Sequence, residues 1–380
     1  MKKNDTAARA IALHKKLGGK IRIAPAVAIK SRADMSLVYT PGVAAVSMLV
    51  AKNPKLARDY TIKGKMIAVI SDGSAVLGLG NIGALGALPV MEGKAALFKA
   101  FANVDAFPIV LDTQNVDEIV KTIINIAPAF GGINLEDFAA PNCFEIEDRV
   151  KAALDIPVMH DDQHGTAIAV LAALINASKV VGKKFNSLRV VVAGAGAAGT
   201  AVTKLLLKAG VTDVIMLDRK GTLSKDRSDL SGHKKELAAM TNPRNINGTL
   251  QDALKDADVV LGVSGPGLMT VKDVQLMAKK AIVFAMANPT PEIMPEDAKK
   301  GGAAVIGTGR SDYPNQINNS LVFPGVFRGA LDNRVTKITD DMKLKAAKNL
   351  AALVKKPTAD KIVPGPFDKG VVQAVAKAIK

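Results

Sequence analysis

The sequence predicts an α/β protein whose second half is a doubly wound parallel sheet. The main observation is the run LRVVVAGAGAAGT, in which an apolar strand passes through a glycine turn into a helix. Strand and helix patterns then alternate up to residue 309, and a looser alternation occupies residues 66–138. A chain of 380 residues is also longer than a single hydrophobic core usually supports, which favours more than one domain. The predicted divisions are an N-terminal α/β domain over 1–164, a Rossmann-like domain over 165–335 and C-terminal helices over 336–380.

Helices and loops are expected in the first 60 residues, and an α/β layer follows them. Prolines discourage a continuous helix over 21–42, so that stretch is predicted to be extended or looped. The run MIAVISDG ends in Asp-Gly and is typical of a buried strand before a turn. The predicted elements are helices 5–19 and 43–58, strand 66–73, helix 90–103, strand 106–111, helix 117–127 and strand 132–138.

The second half begins with a short strand in IPVMH, an acidic loop, and a helix that we expect to start near Thr166. The regular strands are predicted at LRVVVAG, DVIMLD, DVVLGVSG, AIVFAMANP and AAVIGTG, with helices between the first four. After Pro324 the chain is predicted to be helical again, with breaks near Pro357 and at 364–366.

Composition argues against several classes of protein. The net charge is +16, but the lysines are spread along the chain and aromatic residues make up only 4% of it. Single-strand binders interleave aromatic and basic side chains, so we expect a solvated lysine-rich surface and no nucleic-acid partner. Cys143 is the only cysteine, which excludes an intramolecular disulfide and favours a reducing cytoplasm. The longest apolar candidate, Thr166 to Ala177, is shorter than the ~18 residues of a membrane helix, so no membrane partner is expected.

A glycine-rich turn predicts a dinucleotide site. It has the pattern G-x-G-x-x-G and consists of Gly194, Ala195, Gly196, Ala197, Ala198 and Gly199. Glycines there let a pyrophosphate approach the helix N-terminus, whose free N–H groups favour anions. Asp218 closes the next strand and is expected to accept the adenosine ribose hydroxyls. An acid disfavours a 2′-phosphate, so NAD is expected before NADP, although Arg219 and Lys220 soften that preference. A glycine turn without a ligand is the alternative.

Two acidic doublets occur in apolar, Gly- and Pro-marked surroundings: Glu136-Asp137 and Asp161-Asp162. Mg²⁺ and Mn²⁺ prefer carboxylate oxygen, and a buried acidic cluster is costly without a cation. The doublets therefore predict a divalent metal site beside the cofactor, with helix or loop capping as the alternative for each acid. His160 and His164 have an i, i+4 spacing that would suit zinc, but we expect no helix there to align them and see no third soft ligand.

Lys94 and Tyr39 are candidate acid–base residues. Lys94 lies in PVMEGKAALFKAF on a mostly apolar helix, and apolar surroundings lower the pKa of a lysine toward values at which it accepts a proton. A lysine at this spacing is more often a surface residue whose stem lies along apolar neighbours. Tyr39 precedes a Thr-Pro-Gly turn that would fix its orientation, although a tyrosine taken alone is more often packed with one hydrogen bond.

Together these motifs closely resemble the malic enzyme family in its short bacterial form. The matching phrases keep the same order nearly from end to end: VYTPGVA, SDGSAVLGLGNIGALGALPVMEGKAALFKAFANVDAFPI, INLEDFAAPNCFEIE, HDDQHGTAIA, AGAGAAG, MANPTPE and GRSDYPNQINNSLVFPGVFRGALD. The resemblance implies a substrate domain before a Rossmann-like NAD(P)-binding domain. It also implies oxidative decarboxylation of (S)-malate to pyruvate and CO2, decarboxylation of oxaloacetate, a need for Mn²⁺ or Mg²⁺, and a homodimer.

The resemblance further implies roles for individual residues around one site. These are Tyr39 and Lys94 as the acid–base pair, Glu136, Asp137 and Asp162 as cation ligands, Asp161 as their support, and Asn288 and Asn319 facing malate and the nicotinamide. A neutral Lys94 would take the hydroxyl proton of malate, directly or through Tyr39. Tyr39, alone or with Lys94 as a relay, would then donate a proton at C3. In the longer relatives an arginine near the first Asp-Gly turn binds a malate carboxylate, and Ala75 occupies that position here. Another group, from this chain or a neighbouring subunit, must then bind that carboxylate.

Three alternative functions remain compatible with these motifs. The first is a decarboxylating dehydrogenase of another 2-hydroxy acid, and the second is a malolactic enzyme that retains NADH and releases lactate. The third is a binding module that senses NAD(H) and contacts nucleic acid through its basic surface, which would bind DNA or RNA in a salt-sensitive way without turnover.

Overall fold

A computed structural model describes residues 3–76 and 78–380 of the chain. Within these ranges, ten strands form two sheets: β1 Met66–Ser71, β2 Asp105–Val110, β3 Gly132–Leu135, β4 Val158–His160, β5 Arg189–Ala193, β6 Asp213–Asp218, β7 Gly221–Thr222, β8 Val259–Gly262, β9 Ala281–Ala285 and β10 Ala303–Thr308. The first sheet has the order β2-β1-β3-β4, and the second has the order β10-β9-β8-β5-β6-β7.

The helices surround these sheets and also form the two ends of the described chain. They are α1 Lys3–Leu17, α2 Arg32–Val38, α3 Val43–Lys52, α4 Ala57–Tyr60, α5 Gly83–Ala102, α6 Val116–Ile126, α7 Asn142–Ala153, α8 Asp161–Val181, α9 Ala197–Lys208, α10 Gly232–Met240, α11 Leu250–Leu254, α12 Val271–Gln275, α13 Pro295–Lys300, α14 Phe323–Asp332, α15 Asp340–Ala352 and α16 Val371–Ala376.

The first sheet is entirely parallel, and its strands are nearly continuous apolar runs because helices cover both faces. Strands β3 and β4 are neighbours, with Leu135 paired to His160 at their carboxyl ends. The residues that follow these two strands are Glu136 and Asp161, so both acidic doublets begin at the same edge of the sheet.

The second sheet has the strand order of a Rossmann fold, with β5 and β8 adjacent at its centre. Its strands are parallel except for the two-residue β7, which pairs antiparallel with β6. The predicted α/β class with a doubly wound nucleotide sheet is therefore confirmed, with one short antiparallel ribbon added at its edge.

Three apolar clusters hold the layers together. The central cluster contains residues of both sheets, including Ile67 and Val190, together with most of the buried face of α8. Two outer clusters cover the far face of each sheet, around Ile133 in the first and Val260 in the second. Because α8 packs between the two sheets, its first turn is held rigidly beside the carboxyl ends of β3 and β4.

Several predicted element boundaries are wrong. The predicted helix 43–58 ends at Lys52, just before Pro54. Residues 32–38 form the helix α2 inside the predicted loop, where Ser31 caps the helix by accepting the N–H of Asp34. Helix α5 begins at Gly83 and contains Pro89, which was expected to lie before the helix. Helix α8 begins at Asp161, five residues before Thr166, because the acidic doublet occupies its first turn, where the helix dipole favours negative charge. The predicted division at 164/165 consequently falls within one continuous helix.

The N-terminal helices differ from the rest of the chain because α2, α3 and α4 have no buried residue. Among the residues that the structure describes, two segments are long and apolar enough to cross a membrane, Arg32–Lys52 and Asp161–Val181. The second is α8, which contains the predicted apolar candidate and is 72% buried inside the fold. The first is not one helix, since α2 and α3 are separated by the turn that contains Pro41.

Candidate active site

The predicted cation ligands lie together at the carboxyl edge of the first sheet. Glu136 and Asp137 are 2% and 3% exposed, and Asp162 is half-buried in the first turn of α8. One carboxylate oxygen from each of the three lies within 4.8 Å of the other two. Asp162 Oδ2 accepts the backbone N–H of Asp137 at 2.8 Å, and Asp137 has a left-handed φ of 57°. A non-glycine residue in that conformation is costly and commonly marks a functional site.

Lys94 extends from α5 into this acidic cluster. Its Nζ lies 2.9 Å from Glu136 Oε1, contacts the Asp161 carboxylate, and stands 4.3 Å from the centre of the Phe323 ring. The residue is 9% exposed, so the alternative that Lys94 is a surface lysine is wrong. The expected direction of its pKa is also wrong. Burial lowers the pKa of Lys94, but the carboxylates of Asp161, Glu136 and Asp162 outweigh burial and raise it above its usual value.

The acids of this cluster show the electrostatic cost of their proximity. Burial raises the pKa of Glu136 well above its usual value, and the neighbouring aspartates raise it further against the opposing effect of Lys94. Burial also raises the pKa of Asp161, to about 6, although Lys94 lowers it. Asp161 Oδ1 is buried and has no hydrogen-bond partner among the described residues. Several carboxylates surround the single ammonium of Lys94, so the cluster carries an excess of negative charge. A hard divalent cation such as Mg²⁺ or Mn²⁺ fits such a cluster.

The two histidines beside the second doublet have different environments. His160 is fully buried at the N-cap of α8, and His164 lies in the helix itself, so the expectation that no helix would be present here is wrong. Lys343 Nζ lies 3.1 Å from His164 Nδ1, and His164 Nε2 lies 2.9 Å from Glu147. An ammonium can only donate, so Nδ1 accepts and the Nε2–H donates to the carboxylate. Burial, with help from the nearby lysines, lowers the pKa of His164 to about 4, which agrees with a neutral ring.

The glycine turn is arranged to leave space at the N-terminus of α9. Gly194 has a φ of 134°, and a Cβ on Gly199 would lie 1.9 Å from the carbonyl oxygen of Gly194. These two glycines are therefore needed for the turn and for close packing of helix on strand. A Cβ on Gly196 would meet nothing within 4 Å. The space beside Gly196, at the first free N–H groups of α9, can receive a pyrophosphate.

Asp218 ends β6 beside a cavity of about 450 Å³. Its carboxylate accepts hydrogen bonds from Arg227 at 2.8 Å, from Lys234 at 2.7 Å and from the backbone N–H of Lys220 at 2.9 Å. Burial acts in the other direction, but these donors lower the pKa of Asp218 to about 2. Asp218 is thus in the place predicted for a ribose-binding acid, and Arg227 and Lys234 largely neutralise it.

Asn288 and Asn319 approach the cleft from the nucleotide-binding side. A Cβ on Gly78 would lie 1.9 Å from Asn288 O, and a Cβ on Gly309 would lie 2.7 Å from Asn288 Nδ2. Asn288 therefore touches the glycine turn that follows β1. A Cβ on Gly165 would lie 3.1 Å from Asn319 Cβ, which places Asn319 against the first turn of α8. Both amides consequently lie where the two sheets meet.

Tyr39 is a predicted site residue for which the structure shows no contact with the acidic cluster. It is 70% exposed at the end of α2, and its side chain makes no hydrogen bond or ring contact with the described residues. Ala75, where longer relatives have an arginine, donates its backbone N–H to Asp137 O at 2.9 Å. The turn of Ala75 therefore lies beside the acids, but its side chain can supply no charge.

Sequence reasoning missed several residues that hold the site in place. Asn134 donates to Glu136 Oε2 at 2.9 Å, and Glu147 bonds to the segment that bears the second doublet. Glu292 accepts the backbone N–H groups of Ser264 and Ala287 next to the nucleotide edge. Asn134 could have been found as a polar residue within the otherwise apolar run GGINL, but no comparable signal distinguishes Glu147 from the other acids of α7.

Comparisons with known proteins match the whole of this architecture. The protein-family model for the malic enzyme N-terminal domain matches residues 18–151. The protein-family model for the malic enzyme NAD-binding domain matches residues 163–378. Similar proteins are a bifunctional malic/malolactic enzyme of Bacillus subtilis, 54% identical over 97% of this chain and 91% of the relative, and an NAD-dependent malic enzyme of Geobacillus stearothermophilus, 54% identical over 96% and 76%. An NADP-dependent malic enzyme of Rhizobium meliloti is 46% identical over 95% of this chain and 50% of the relative.

A solved structure shows the same arrangement of both sheets. The crystal structure of an NAD-dependent malic enzyme from Thermotoga maritima superposes with a TM-score of 0.95 at 47% identity and covers 98% of each chain. The similarity thus includes the acidic edge, the glycine turn and the C-terminal helices.

Proposed function

This chain belongs to the malic enzyme family, and we propose that it catalyses the oxidative decarboxylation of (S)-malate to pyruvate and CO2 with reduction of NAD or NADP. The resemblance inferred from its motifs is confirmed. One observation carries the proposal: Lys94 Nζ lies 2.9 Å from Glu136 inside the same buried cluster as Asp137 and Asp162. A proton-transfer group and a set of hard oxygen ligands in one cleft are what this reaction requires.

Each residue of the cluster has a proposed task. Glu136, Asp137 and Asp162 would hold Mn²⁺ or Mg²⁺, and Asp161 fixes the ammonium of Lys94. The cation, when bound, supplies a Lewis acid for the negative charge that develops as CO2 leaves. Lys94 would take the C2 hydroxyl proton of malate, and the nicotinamide cofactor, when bound, would supply the hydride acceptor. The acids that raise the pKa of Lys94 include the proposed cation ligands. A bound cation would offset their negative charge, so Lys94 would become a proton acceptor only when the cation is present.

Tyr39 and the two asparagines complete the proposed reaction. Tyr39 would donate a proton at C3 after decarboxylation, which converts enolpyruvate to pyruvate. Asn288 and Asn319 would orient malate against the nicotinamide ring with their amides. Oxaloacetate supplied directly would enter the same sequence at the decarboxylation step.

We also propose that the chain is a homodimer that buries an N-terminal apolar surface. This surface consists of exposed large hydrophobic residues, among them Met35, Leu37, Val38, Tyr39, Val46, Met48 and Leu49. A contiguous apolar stretch of this kind is unusual on a monomer and typical of an obligate interface. Because Tyr39 lies on this surface and its side chain makes no hydrogen bond or ring contact with the described residues, we propose that it completes the site of the partner.

Mixed dimers test this arrangement. Tyr39→Phe and Lys94→Ala chains carrying different tags would be co-expressed, and the doubly tagged dimer would be purified. If Tyr39 acts in the partner's site, one of the two sites is intact and about half of the normal activity returns. If Tyr39 acts in its own chain, each site lacks one group and activity remains at the level of the single variants.

The activity itself is tested by a spectrophotometric assay with malate, NAD or NADP, and Mn²⁺ or Mg²⁺, with a chelator control. Asp162→Asn is expected to abolish metal-dependent turnover, whereas the exposed Asp155→Asn should not change it. Turnover that survives in chelator would refute the cation site. Absorbance at the reduced nicotinamide band with each cofactor would show whether Arg227 and Lys234 permit NADP.

A malolactic activity is the second candidate, because a 54% identical relative is a bifunctional malic/malolactic enzyme. It predicts release of lactate from malate without net accumulation of NADH, which the same assay distinguishes when lactate is measured. We further propose a cytoplasmic protein without nucleic-acid or membrane partners. Salt-sensitive binding to DNA or to anionic vesicles would contradict this part of the proposal.

A further inference from the structure

Glu147 is a buried carboxylate of α7 that lies outside the proposed cation ligands, and it is 3% exposed. Its Oε1 accepts the backbone N–H of His160 at 2.8 Å and the ammonium of Lys151 at 2.7 Å. Its Oε2 accepts His164 Nε2 at 2.9 Å and Gln163 Nε2 at 3.3 Å. Both oxygens are therefore occupied by N–H donors.

Three of these four donors come from residues 160–164, the segment that contains the second acidic doublet. His160 lies immediately before Asp161, and Gln163 lies immediately after Asp162. Glu147 therefore fixes the backbone on one side of the doublet and the side chains on its other side. Its own helix α7 begins five residues after Asp137, so only a short segment connects that helix to the first doublet.

We propose that Glu147 is a positioning residue that sets the first turn of α8 so that the second doublet faces Glu136 and Lys94. This inference rests on the proposed cation site. Residues that orient metal ligands commonly affect metal affinity by about 10–100-fold. The helix dipole favours acids in the first turn of α8, but it does not select which way they point. The bonds to Glu147 supply that direction.

The requirement is for a carboxylate, because four donors converge on it. A glutamine at this position presents one acceptor oxygen and one NH2 group, so about half of the donors would face another donor. Lys343 of α15 reinforces the arrangement, since its bond to His164 Nδ1 directs the Nε2–H of that ring at Glu147. The C-terminal helices thereby contact the cation edge through one histidine.

Mn²⁺ binding to the whole protein tests the proposal without reference to turnover. The free Mn²⁺ signal in electron paramagnetic resonance would be titrated in the absence of malate and cofactor. Glu147→Gln is expected to weaken Mn²⁺ binding at least about tenfold. Glu145→Gln is the matched control, since Glu145 lies two residues earlier on α7 and its side chain is 60% exposed. Equal affinity in Glu147→Gln and the unaltered chain would overturn the inference.

Two further measurements separate positioning from general damage and from failure of the site itself. NADH binding, followed by its own fluorescence, should be unchanged in Glu147→Gln, and equal weakening of NADH and Mn²⁺ binding would contradict a positioning role. If the unaltered chain binds no Mn²⁺, the cation site fails, and the role of Glu147 fails with it. If Glu147→Gln does not fold, His164→Leu removes one donor at a half-buried position. It is expected to weaken Mn²⁺ binding several-fold, and unchanged affinity would overturn the inference.

Discussion

The acidic cleft and the N-terminal apolar surface contain the two residues that the family resemblance pairs, yet they are built in opposite ways. Lys94 is 9% exposed and is held by two carboxylates and the Phe323 ring, whereas Tyr39 is 70% exposed and its side chain has no polar contact with the described residues. Helices α2, α3 and α4 bury no residue, while strands such as β3 are wholly buried. The acids and Lys94 are therefore brought together within one chain, whereas the single chain leaves the N-terminal surface uncovered. The proposed homodimer would cover that surface.

The largest expected effect is on the cleft. Lys94→Ala should lower turnover at least about 10²-fold, because it removes the proton-transfer group and leaves three acids without their ammonium. NADH binding should change little, because the glycine turn is on the other sheet. Lys99→Ala on the same helix is the control, since its side chain is 56% exposed. Full turnover in Lys94→Ala would remove Lys94 from the mechanism.

The next effect concerns the N-terminal apolar surface. Met48 is 57% exposed in the single chain, so Met48→Glu should alter the stability of a monomer by no more than about 0.5 kcal/mol. In a dimer interface the buried charge should raise the dissociation constant at least about tenfold. Light scattering against concentration measures the change, with the exposed Met240→Glu as control. If both variants remain dimers, Met48 does not lie in the interface.

A smaller effect separates a packed glycine from an open one in the nucleotide turn. Gly199→Ala forces a Cβ against the Gly194 carbonyl and should destabilise the fold by about 1–3 kcal/mol. Gly196→Ala meets no atom within 4 Å, so it should leave stability unchanged and weaken NAD binding by occupying the space of the pyrophosphate. Thermal unfolding and NADH titration of the pair would measure this. Unweakened NADH binding in Gly196→Ala would place the pyrophosphate elsewhere.

The smallest expected effect is the slow reaction of the Cys143 thiol, which is packed at the start of α7. Cys143 is fully buried, and burial, with the charges of Glu147 and Asp162, raises the pKa of its thiol to about 12. At pH 8 only roughly 10⁻⁴ of the thiol is then ionised, so a disulfide reagent should react with the native protein very slowly. Unfolding in guanidinium should restore rapid reaction with one thiol. Fast reaction of the native chain would show that the start of α7 opens readily.

Much of the fold was predictable because it depends on local patterns. The apolar run before Gly194 and the glycine spacing after it identify a strand, a turn and a helix, and the structure has all three. The start of α8 was not predictable in the same way. Adjacent acids resemble a loop in sequence, but here they form the first turn of a helix, where the dipole favours negative charge and the preceding His160 bonds to Glu147.

The candidate site was also predictable only in part. Residue type and order indicated Glu136, Asp137 and Asp162, because carboxylates in apolar surroundings imply a cation. The pKa of Lys94 could not be obtained from its neighbours on α5, since the dominant charges come from residues 42 and 67 positions further along the chain. The neutralisation of Asp218 likewise arises because Arg227 of the following loop and Lys234 of α10 fold back onto the strand end.

The amino-acid sequence alone determined the α/β class, the glycine turn, the acidic doublets and membership of the malic enzyme family, because these features depend on short-range periodicity and on residue order. Only the tertiary structure decided that Lys94 is buried with a raised pKa, that Glu147 holds the first turn of α8, and that Tyr39 lies on an open surface. Those properties depend on distances between residues remote in the chain, and Coulomb and burial energies are set by such distances.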